Sequence, residues 1–148
     1  MFKWNIGWGC TSKCNMKCQF CYSHEKRQES SDLCYEDWIK FIDNNHDCIA
    51  TINYGTGENT LSNDWFKLIS YIRHKYPSIK QALTTNGHLF EACKNPENLN
   101  SFIESIDEVD ISLDYFEEKK HIEFRGQVNA YNWALGTLDL CKKYNKLI

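Results

Sequence analysis

Residues 2–21 read FKWNIGWGCTSKCNMKCQFC, and this stretch decides the fold. Its first seven residues alternate between apolar and polar side chains, and the apolar ones share one face: Phe2, Trp4, Ile6 and Trp8. A period of two residues predicts a β-strand with one face toward the core. The remainder is rich in cysteine and begins with a glycine, Gly9. The sequence therefore predicts a strand that leads directly into a cysteine-bearing loop.

Three further strand patterns follow, and each precedes a helical pattern. The strand patterns cover residues 48–54, 79–85 and 108–114. Helical spacing of apolar side chains is found in residues 35–45, in a segment that starts near Ser62 or Asn63, and in residues 97–106 and 127–144. Four successive strand–helix units predict an α/β fold with parallel strands and right-handed helical crossovers.

One face of the predicted sheet is polar, and its side chains are Lys3, Asn5, Thr51, Asn53, Asp110 and Ser112. A closed eight-stranded barrel fills its interior with branched apolar side chains. The polar face therefore predicts an open, curved parallel sheet with outer helices, in other words a partial (βα) barrel. Ligands bind at the carboxyl ends of such strands. Here those ends carry the cysteine loop and residues 55–59, 84–87 and 112–114.

Composition excludes several classes of protein. The chain has 148 residues, which fits a single domain, and 17 basic against 20 acidic residues give a net charge of −3. This balance argues against nucleic acid or a membrane surface as a partner. No apolar run reaches the roughly 18 residues of a membrane span, and the first residues do not resemble a signal peptide. We therefore expect a cytoplasmic protein.

Cysteine is the most informative residue type, with eight in the chain. Cys14, Cys18 and Cys21 follow a C-x3-C-x2-C spacing that suits a metal or cluster site in a reducing compartment. Three thiolates can hold a cubane iron–sulfur cluster and leave one iron without a protein ligand. Structural zinc, with Cys10 or His24 as a fourth ligand, is an alternative. The remaining cysteines are predicted to be packing residues: Cys34, Cys48, Cys93 and Cys141.

This spacing, with Phe20 before the last cysteine, resembles the radical S-adenosylmethionine (SAM) superfamily. The resemblance implies a [4Fe–4S] cluster on the three cysteines and SAM bound to its fourth iron. It also implies an electron donor such as flavodoxin or ferredoxin, and reductive cleavage of SAM. The resulting 5′-deoxyadenosyl radical abstracts hydrogen from a substrate. Phe20 would lie near the adenine.

Smaller matches follow the same order along the chain. Residues 56–59, TGEN, resemble the Gly-Gly-Glu-Pro stretch of the family, with Thr and Asn as departures. By resemblance, Glu58 would accept a hydrogen bond from the SAM ammonium. Ser112 would face the ribose or the carboxylate, and Arg125 would pair with the carboxylate. The implied SAM-binding residues are Phe20, Gly57, Glu58, Asn86, Ser112 and Arg125, and no catalytic side chain is assigned.

The opening segment also resembles radical SAM maturases of ribosomally made peptides, which makes a peptide a candidate substrate. The family core usually has six strand–helix units. We therefore expect residues 1–148 to be the N-terminal portion of a radical SAM core that stops before its fifth strand. Two other functions stay open, namely a non-catalytic or truncated cluster-binding remnant and a structural zinc-binding domain. Cleavage of SAM would separate an enzyme from both.

Overall fold

A computed structural model describes residues 3–29 and 31–148. Its centre is a sheet of four parallel strands in the order β1-β2-β3-β4. The strands are β1 (Trp4–Trp8), β2 (Ile49–Tyr54), β3 (Lys80–Thr85) and β4 (Glu108–Ile111). Each strand after the first is paired with the strand that precedes it in the sequence, and the sheet is not closed. The predicted partial (βα) barrel architecture is therefore confirmed.

Seven α-helices are found in the described chain. They are α1 (His24–Glu29), α2 (Tyr35–Asn45), α3 (Asn63–Lys75), α4 (Leu89–Ala92), α5 (Pro96–Ser105), α6 (Glu118–Arg125) and α7 (Ala130–Lys143). Short 3₁₀ turns cover His46–Cys48 and Asn59–Leu61. The sequence predicted α2, α3, α5 and α7, but not α1, α4 or α6. None of the described helices is both long and apolar enough to span a membrane.

The core lies between the outer face of the sheet and the helices. Ile52, Leu83 and Val109 come from three adjacent strands and are fully buried. Against them pack helical side chains such as Ile69 and Ile72, which are also fully buried. The predicted apolar stripe of α3 is therefore the side of the helix that covers the sheet. Full burial of a side chain of this size stabilises the fold by about 1.5–3 kcal/mol.

The beginning of each of two helices is fixed by a side-chain cap. The Ser62 hydroxyl accepts a hydrogen bond from the Trp65 amide at 3.4 Å and caps α3. The side-chain oxygen of Asn95 accepts a hydrogen bond from the Glu97 amide at 2.8 Å, and Pro96 occupies the first turn of α5. Caps of this kind satisfy amide groups that have no partner within the helix.

The inner face of the sheet is polar, as predicted. Thr84 on β3 lies between Asn53 on β2 and Asp110 on β4. Its hydroxyl is 3.2 Å from the Asn53 side-chain oxygen and 3.4 Å from an Asp110 carboxylate oxygen. Asp110 and Thr84 are exposed. The concave face therefore carries hydrogen-bonding groups where a closed barrel would carry apolar side chains.

Two strand predictions need correction. The fourth strand ends at Ile111, not at residue 114, because the Leu113 amide bonds the Ile111 carbonyl at 2.9 Å and bends the chain. Leu113 is consequently 41% exposed. On the first strand, Trp4 is 67% exposed. It lies at the start of a strand at the edge of the sheet, where the helices do not cover it. Phe2 is outside the described residues.

The four cysteines that were predicted to be packing residues differ in their burial. Cys93 and Cys141 are buried, which confirms them as packing residues, and Cys48 is partly buried. Cys34 is exposed, so its predicted packing role is wrong. It stands immediately before α2, and its thiol donates to the Asp37 carboxylate at 3.0 Å. At a helix N-terminus a residue can satisfy local hydrogen bonds without entering the core.

Gly87 provides a test of how β3 meets α7. Its φ angle is +97°, and a Cβ atom at this position would lie 2.5 Å from the Ala134 amide nitrogen. We expect Gly87→Ala to lower the free energy of unfolding by about 3 kcal/mol, because it combines backbone strain with a clash against main chain. Gly7→Ala is the control, since the space around Gly7 is open. Urea titration followed by circular dichroism measures both, and equal midpoints would contradict the prediction.

Candidate functional site

A cavity of about 480 Å³ opens at the carboxyl ends of the strands, and we call it the rim cavity. Its volume is within the range of about 300–1,000 Å³ that is usual for small-molecule sites. Eight of the nine predicted site residues line it: Cys14, Cys18, Phe20, Cys21, Gly57, Asn86, Ser112 and Arg125. Further lining comes from the polar inner face, through Asn53 and Thr84. Within the described chain, Glu58 is the one predicted site residue outside this lining.

Residues 10–23 form the loop that carries the three motif cysteines, and we call it the cysteine loop. It follows β1 and contains a turn in which the Cys21 amide bonds the Cys18 carbonyl at 3.1 Å. All eight cysteines of the chain are described and are free thiols. No three His, Cys, Asp or Glu side chains in residues 3–29 and 31–148 converge closely enough to hold a single metal ion. All three thiols line the rim cavity.

The turn after β2 packs against the backbone of the cysteine loop. Thr56 and Gly57 both have left-handed backbones, with φ angles of 63° and 70°. A Cβ atom on Gly57 would collide with the backbone oxygens of Thr11 and Lys13. Only glycine allows this close approach of the two segments. Thr56 keeps the left-handed geometry in spite of its side chain, although this costs about 1–2 kcal/mol.

Glu58 is 1% exposed. The described hydrogen bonds to its carboxylate all come from other residues of this chain. One oxygen accepts from the Thr60 hydroxyl at 2.7 Å and from the Thr85 hydroxyl at 3.0 Å. The other accepts from the Asn86 amide at 2.8 Å. Burial raises the pKa of Glu58, and these donors oppose the rise because they stabilise the charged form. The carboxylate thus joins the turn after β2 to the end of β3.

Asn86 continues this contact toward the cysteines. Its side-chain nitrogen donates to the Asn15 side-chain oxygen at 2.7 Å and lies 3.7 Å from the Cys14 sulfur. Burial raises the pKa of Cys14, and the negative charge of Glu58 adds to this effect, whereas a hydrogen bond from the Met16 backbone opposes it. The thiol of Cys14 is therefore harder to ionise than an ordinary thiol.

Cys21, at the other end of the loop, has different surroundings. The Ser23 hydroxyl is 3.4 Å from its sulfur, and an Arg27 guanidinium nitrogen is 3.6 Å away. Arg27 also donates to the Ser12 carbonyl at 2.9 Å, so it joins the two ends of the loop. Burial would raise the pKa of Cys21, but the hydrogen bonds from Ser23 and Arg27 outweigh burial and lower it. A thiolate consequently forms more readily at this position than at an ordinary thiol.

The end of α6 closes the cavity on the side of β4. The Arg125 carbonyl accepts a hydrogen bond from the Cys18 thiol at 3.5 Å, and the Arg125 guanidinium lies 5.1 Å from the centre of the Phe20 ring. Phe20 also stacks on Phe124, with ring centres 4.1 Å apart. Arg125 donates to the Asp114 carboxylate at 2.6 Å. Phe20 and Arg125, predicted separately, are therefore in contact.

Sequence reasoning missed several residues that hold these groups. His121 on α6 is buried, and its Nδ1 accepts a hydrogen bond from the Asp114 amide at 3.3 Å. Helix α6 has little apolar periodicity, so no pattern indicated it. Its one available signal was a basic residue followed by glycine, since Arg125 lies in the last turn and Gly126 (φ 65°) ends the helix. Arg27 carried no motif at all.

Comparison with known proteins agrees with this geometry. The Fe-coproporphyrin III synthase of Methanosarcina barkeri is 30% identical over 146 residues, which cover 93% of this chain and 34% of that protein. A probable GTP 3′,8-cyclase of Methanococcus maripaludis is 35% identical over 107 residues, which cover 70% of this chain and 34% of that protein. The chain thus spans about a third of the length of these relatives.

Solved structures show the same fold. Streptococcus suis SuiB has a TM-score of 0.73 at 20% identity, over 97% of this chain and 31% of SuiB. Its complex with S-adenosylmethionine gives a TM-score of 0.72 at 21% identity, over 97% of this chain and 32% of that protein. The profile of the Radical SAM superfamily matches residues 8–147. Because that match covers nearly the whole sequence, the chain belongs to the radical SAM superfamily.

Proposed function

We propose that this chain carries a [4Fe–4S] cluster on Cys14, Cys18 and Cys21, binds SAM in the rim cavity, and cleaves SAM reductively to a 5′-deoxyadenosyl radical. The observation that carries the proposal is that three thiols of one loop line the same cavity as Gly57, Ser112 and Arg125. Membership of the radical SAM superfamily supports both cofactors at the level of the family.

The donor set fits an iron–sulfur cluster. Thiolates are the usual protein ligands of such clusters, and three of them leave one iron free for an external ligand. All three thiols line the rim cavity, which is where such a cluster would lie. When bound, the reduced cluster supplies the electron that cleaves the sulfonium.

The side chains of the cavity would bind and orient SAM. Arg125 brings a positive charge to the wall of the cavity, which suits the methionine carboxylate. Ser112 and Asn86 offer hydrogen-bonding groups to the ribose and the polar part of the methionine. Gly57 lets the backbone approach closely, and Phe20 presents a ring beside the cavity for the adenine. We assign no side chain as an acid or a base.

A peptide is the substrate class that we propose, in the maturation of a ribosomally made peptide. SuiB, whose fold this chain shares, has been solved with the precursor peptide SuiA at a TM-score of 0.71 and 18% identity, over 98% of this chain and 38% of that protein. We further propose a small redox protein such as flavodoxin or ferredoxin as the electron donor. A cytoplasmic location would keep all three motif cysteines reduced.

The first test concerns the cluster. Serine at any one of Cys14, Cys18 or Cys21 should abolish most of the iron and sulfide bound after anaerobic reconstitution, because each thiolate ligates one iron. Cys34→Ser is the control, since Cys34 is an exposed thiol outside the loop. Metal analysis and visible absorption measure the result. A colourless wild-type protein that holds one zinc ion would favour the structural zinc domain instead.

The second test concerns SAM. Arg125→Gln should weaken SAM binding by about tenfold, the lower end expected for a charged hydrogen bond of about 1.5–3 kcal/mol, because Arg125 is already shared with Asp114. Lys67→Gln is the control and removes an exposed ion pair with Asp64. Anaerobic equilibrium dialysis gives both dissociation constants. Equal affinities in wild type and Arg125→Gln would refute the assigned contact.

The third test concerns Cys21 in the metal-free chain. Arg27→Gln removes a donor and a positive charge beside the sulfur, so the pKa of Cys21 should rise and its thiolate should form at higher pH. Iodoacetamide alkylation at a series of pH values, resolved by mass spectrometry, reports this pKa. Lys26→Gln, an exposed neighbour on the same helix, should leave the profile in place. An unchanged profile in Arg27→Gln would show that Ser23 alone sets the pKa.

A further inference from the structure

We propose that Glu58 is a positioning residue that holds the Cys14 end of the cysteine loop, and that it does so through Asn86 without contacting SAM. This inference rests on the proposed function in one respect, since it treats Cys14 as a cluster ligand. It assigns Glu58 a role different from the ammonium contact that the family resemblance implies.

The carboxylate of Glu58 is already fully engaged. A carboxylate has about four acceptor positions. The Thr60 hydroxyl at 2.7 Å and the Thr60 amide at 3.4 Å donate to one oxygen, and the Asn86 amide donates to the other at 2.8 Å. The single proton of the Thr85 hydroxyl lies between both oxygens, at 3.0 and 3.1 Å. An ammonium group could reach it only by displacing one of these donors. A displaced donor would be left buried without a partner, which is costly.

Position leads to the same conclusion. Glu58 is 1% exposed and stands outside the lining of the rim cavity, as far as the described residues show. Thr85 and Asn86, which donate to its carboxylate, do line that cavity. The cavity wall therefore contains the donors of Glu58 and not Glu58 itself.

Two routes lead from Glu58 to Cys14. Its backbone amide donates to the Lys13 carbonyl at 2.9 Å, which fixes the residue before Cys14. Its carboxylate fixes the Asn86 backbone, and the Asn86 side chain contacts Asn15 and the Cys14 sulfur. Both neighbours of Cys14 are therefore held: Lys13 by the Glu58 amide, and Asn15 by the Asn86 side chain.

The far end of the loop is held separately. Ser23 and Arg27 contact Cys21, and none of the described hydrogen bonds of Glu58 reaches either residue. The role assigned to Glu58 is therefore local. Loss of its carboxylate should loosen residues 11–18 and 84–88 and should leave the segment around Cys21 as it is.

Amide hydrogen exchange of the metal-free chain tests this directly. In Glu58→Gln, one acceptor oxygen becomes an NH₂ group that faces other donors. We expect exchange in peptides from residues 11–18 and 84–88 to accelerate at least about tenfold, because local opening follows the loss of a charge-assisted hydrogen bond. Glu91→Gln is the matched control, since Glu91 forms a surface ion pair with Lys94.

Exchange is preferable to thiol labelling for this purpose. The charge of Glu58 raises the pKa of Cys14, so its removal alone would change the alkylation rate. Amide exchange does not depend on the ionisation of that thiol. Because neither metal nor SAM is present, the result is also independent of whether the chain binds a cluster.

A second pair of variants separates the steps of the route and covers the case in which Glu58→Gln does not fold. Thr60→Val keeps the charge of Glu58 but removes the donor at 2.7 Å, and it should accelerate exchange in the same two segments by a smaller factor. Asn86→Ala keeps the backbone amide that bonds Glu58. It should accelerate exchange in residues 11–18, whereas within residues 84–88 only the His88 amide, which donates to the Asn86 side chain at 3.1 Å, should lose protection.

A spectroscopic measurement extends the test to the reconstituted protein. The electron paramagnetic resonance spectrum of the reduced cluster, recorded without SAM, should shift in Glu58→Gln because the surroundings of Cys14 change. Ser62→Ala, which removes the cap of α3, should leave the spectrum unchanged.

Three results would overturn the proposal. One is equal exchange in wild type and Glu58→Gln together with weakened SAM binding, which would make Glu58 a direct ligand. Another is uniform acceleration across all strands, which would make its role a general one. The third is an unaltered cluster spectrum in Glu58→Gln.

Discussion

The contacts of one buried carboxylate organise the functional edge of this molecule. Glu58 stands where the chain leaves β2, and its hydrogen bonds reach the end of β3 and the base of the cysteine loop. Parallel strands place their carboxyl ends at one edge of a sheet, but they do not fix how the following loops lie against one another. Internal hydrogen bonds between those loops do so here. These hydrogen bonds can form because Gly57 has no side chain and therefore lets the turn after β2 approach Thr11 and Lys13 closely.

The two ends of the cysteine loop are chemically unlike. Burial and a nearby carboxylate disfavour the thiolate of Cys14, whereas an arginine and a hydroxyl favour that of Cys21. Donors near a cluster sulfur are among the features by which a protein tunes the reduction potential of the cluster. A cluster on this loop would therefore meet an asymmetric environment. Cys18, between them, is tied to the end of α6.

Much of this arrangement could be predicted from the sequence, because it follows from short patterns. Alternation of apolar residues located the strands, and their order placed the motif segments on one edge. Trp4 was misjudged because alternation shows which face a side chain takes but not whether a helix covers it. Helix α6 was missed because its apolar residues follow no helical period. The burial of Glu58 could not be predicted from the sequence either. Its carboxylate bonds both Thr60, two residues further on, and Thr85 at the end of β3, and these two come together only when β2 and β3 pair.

The strand order has a consequence for how the site forms during synthesis. Each strand pairs with the one made just before it, so the sheet can grow as the chain leaves the ribosome. The cysteine loop is synthesised before α6, and its contact with Arg125 spans 107 residues. At about 5–20 residues per second, that contact becomes available roughly 5–20 seconds after Cys18 is made. During this interval the three thiols lack the wall that later covers them, and they are most accessible both to iron delivery and to oxidation.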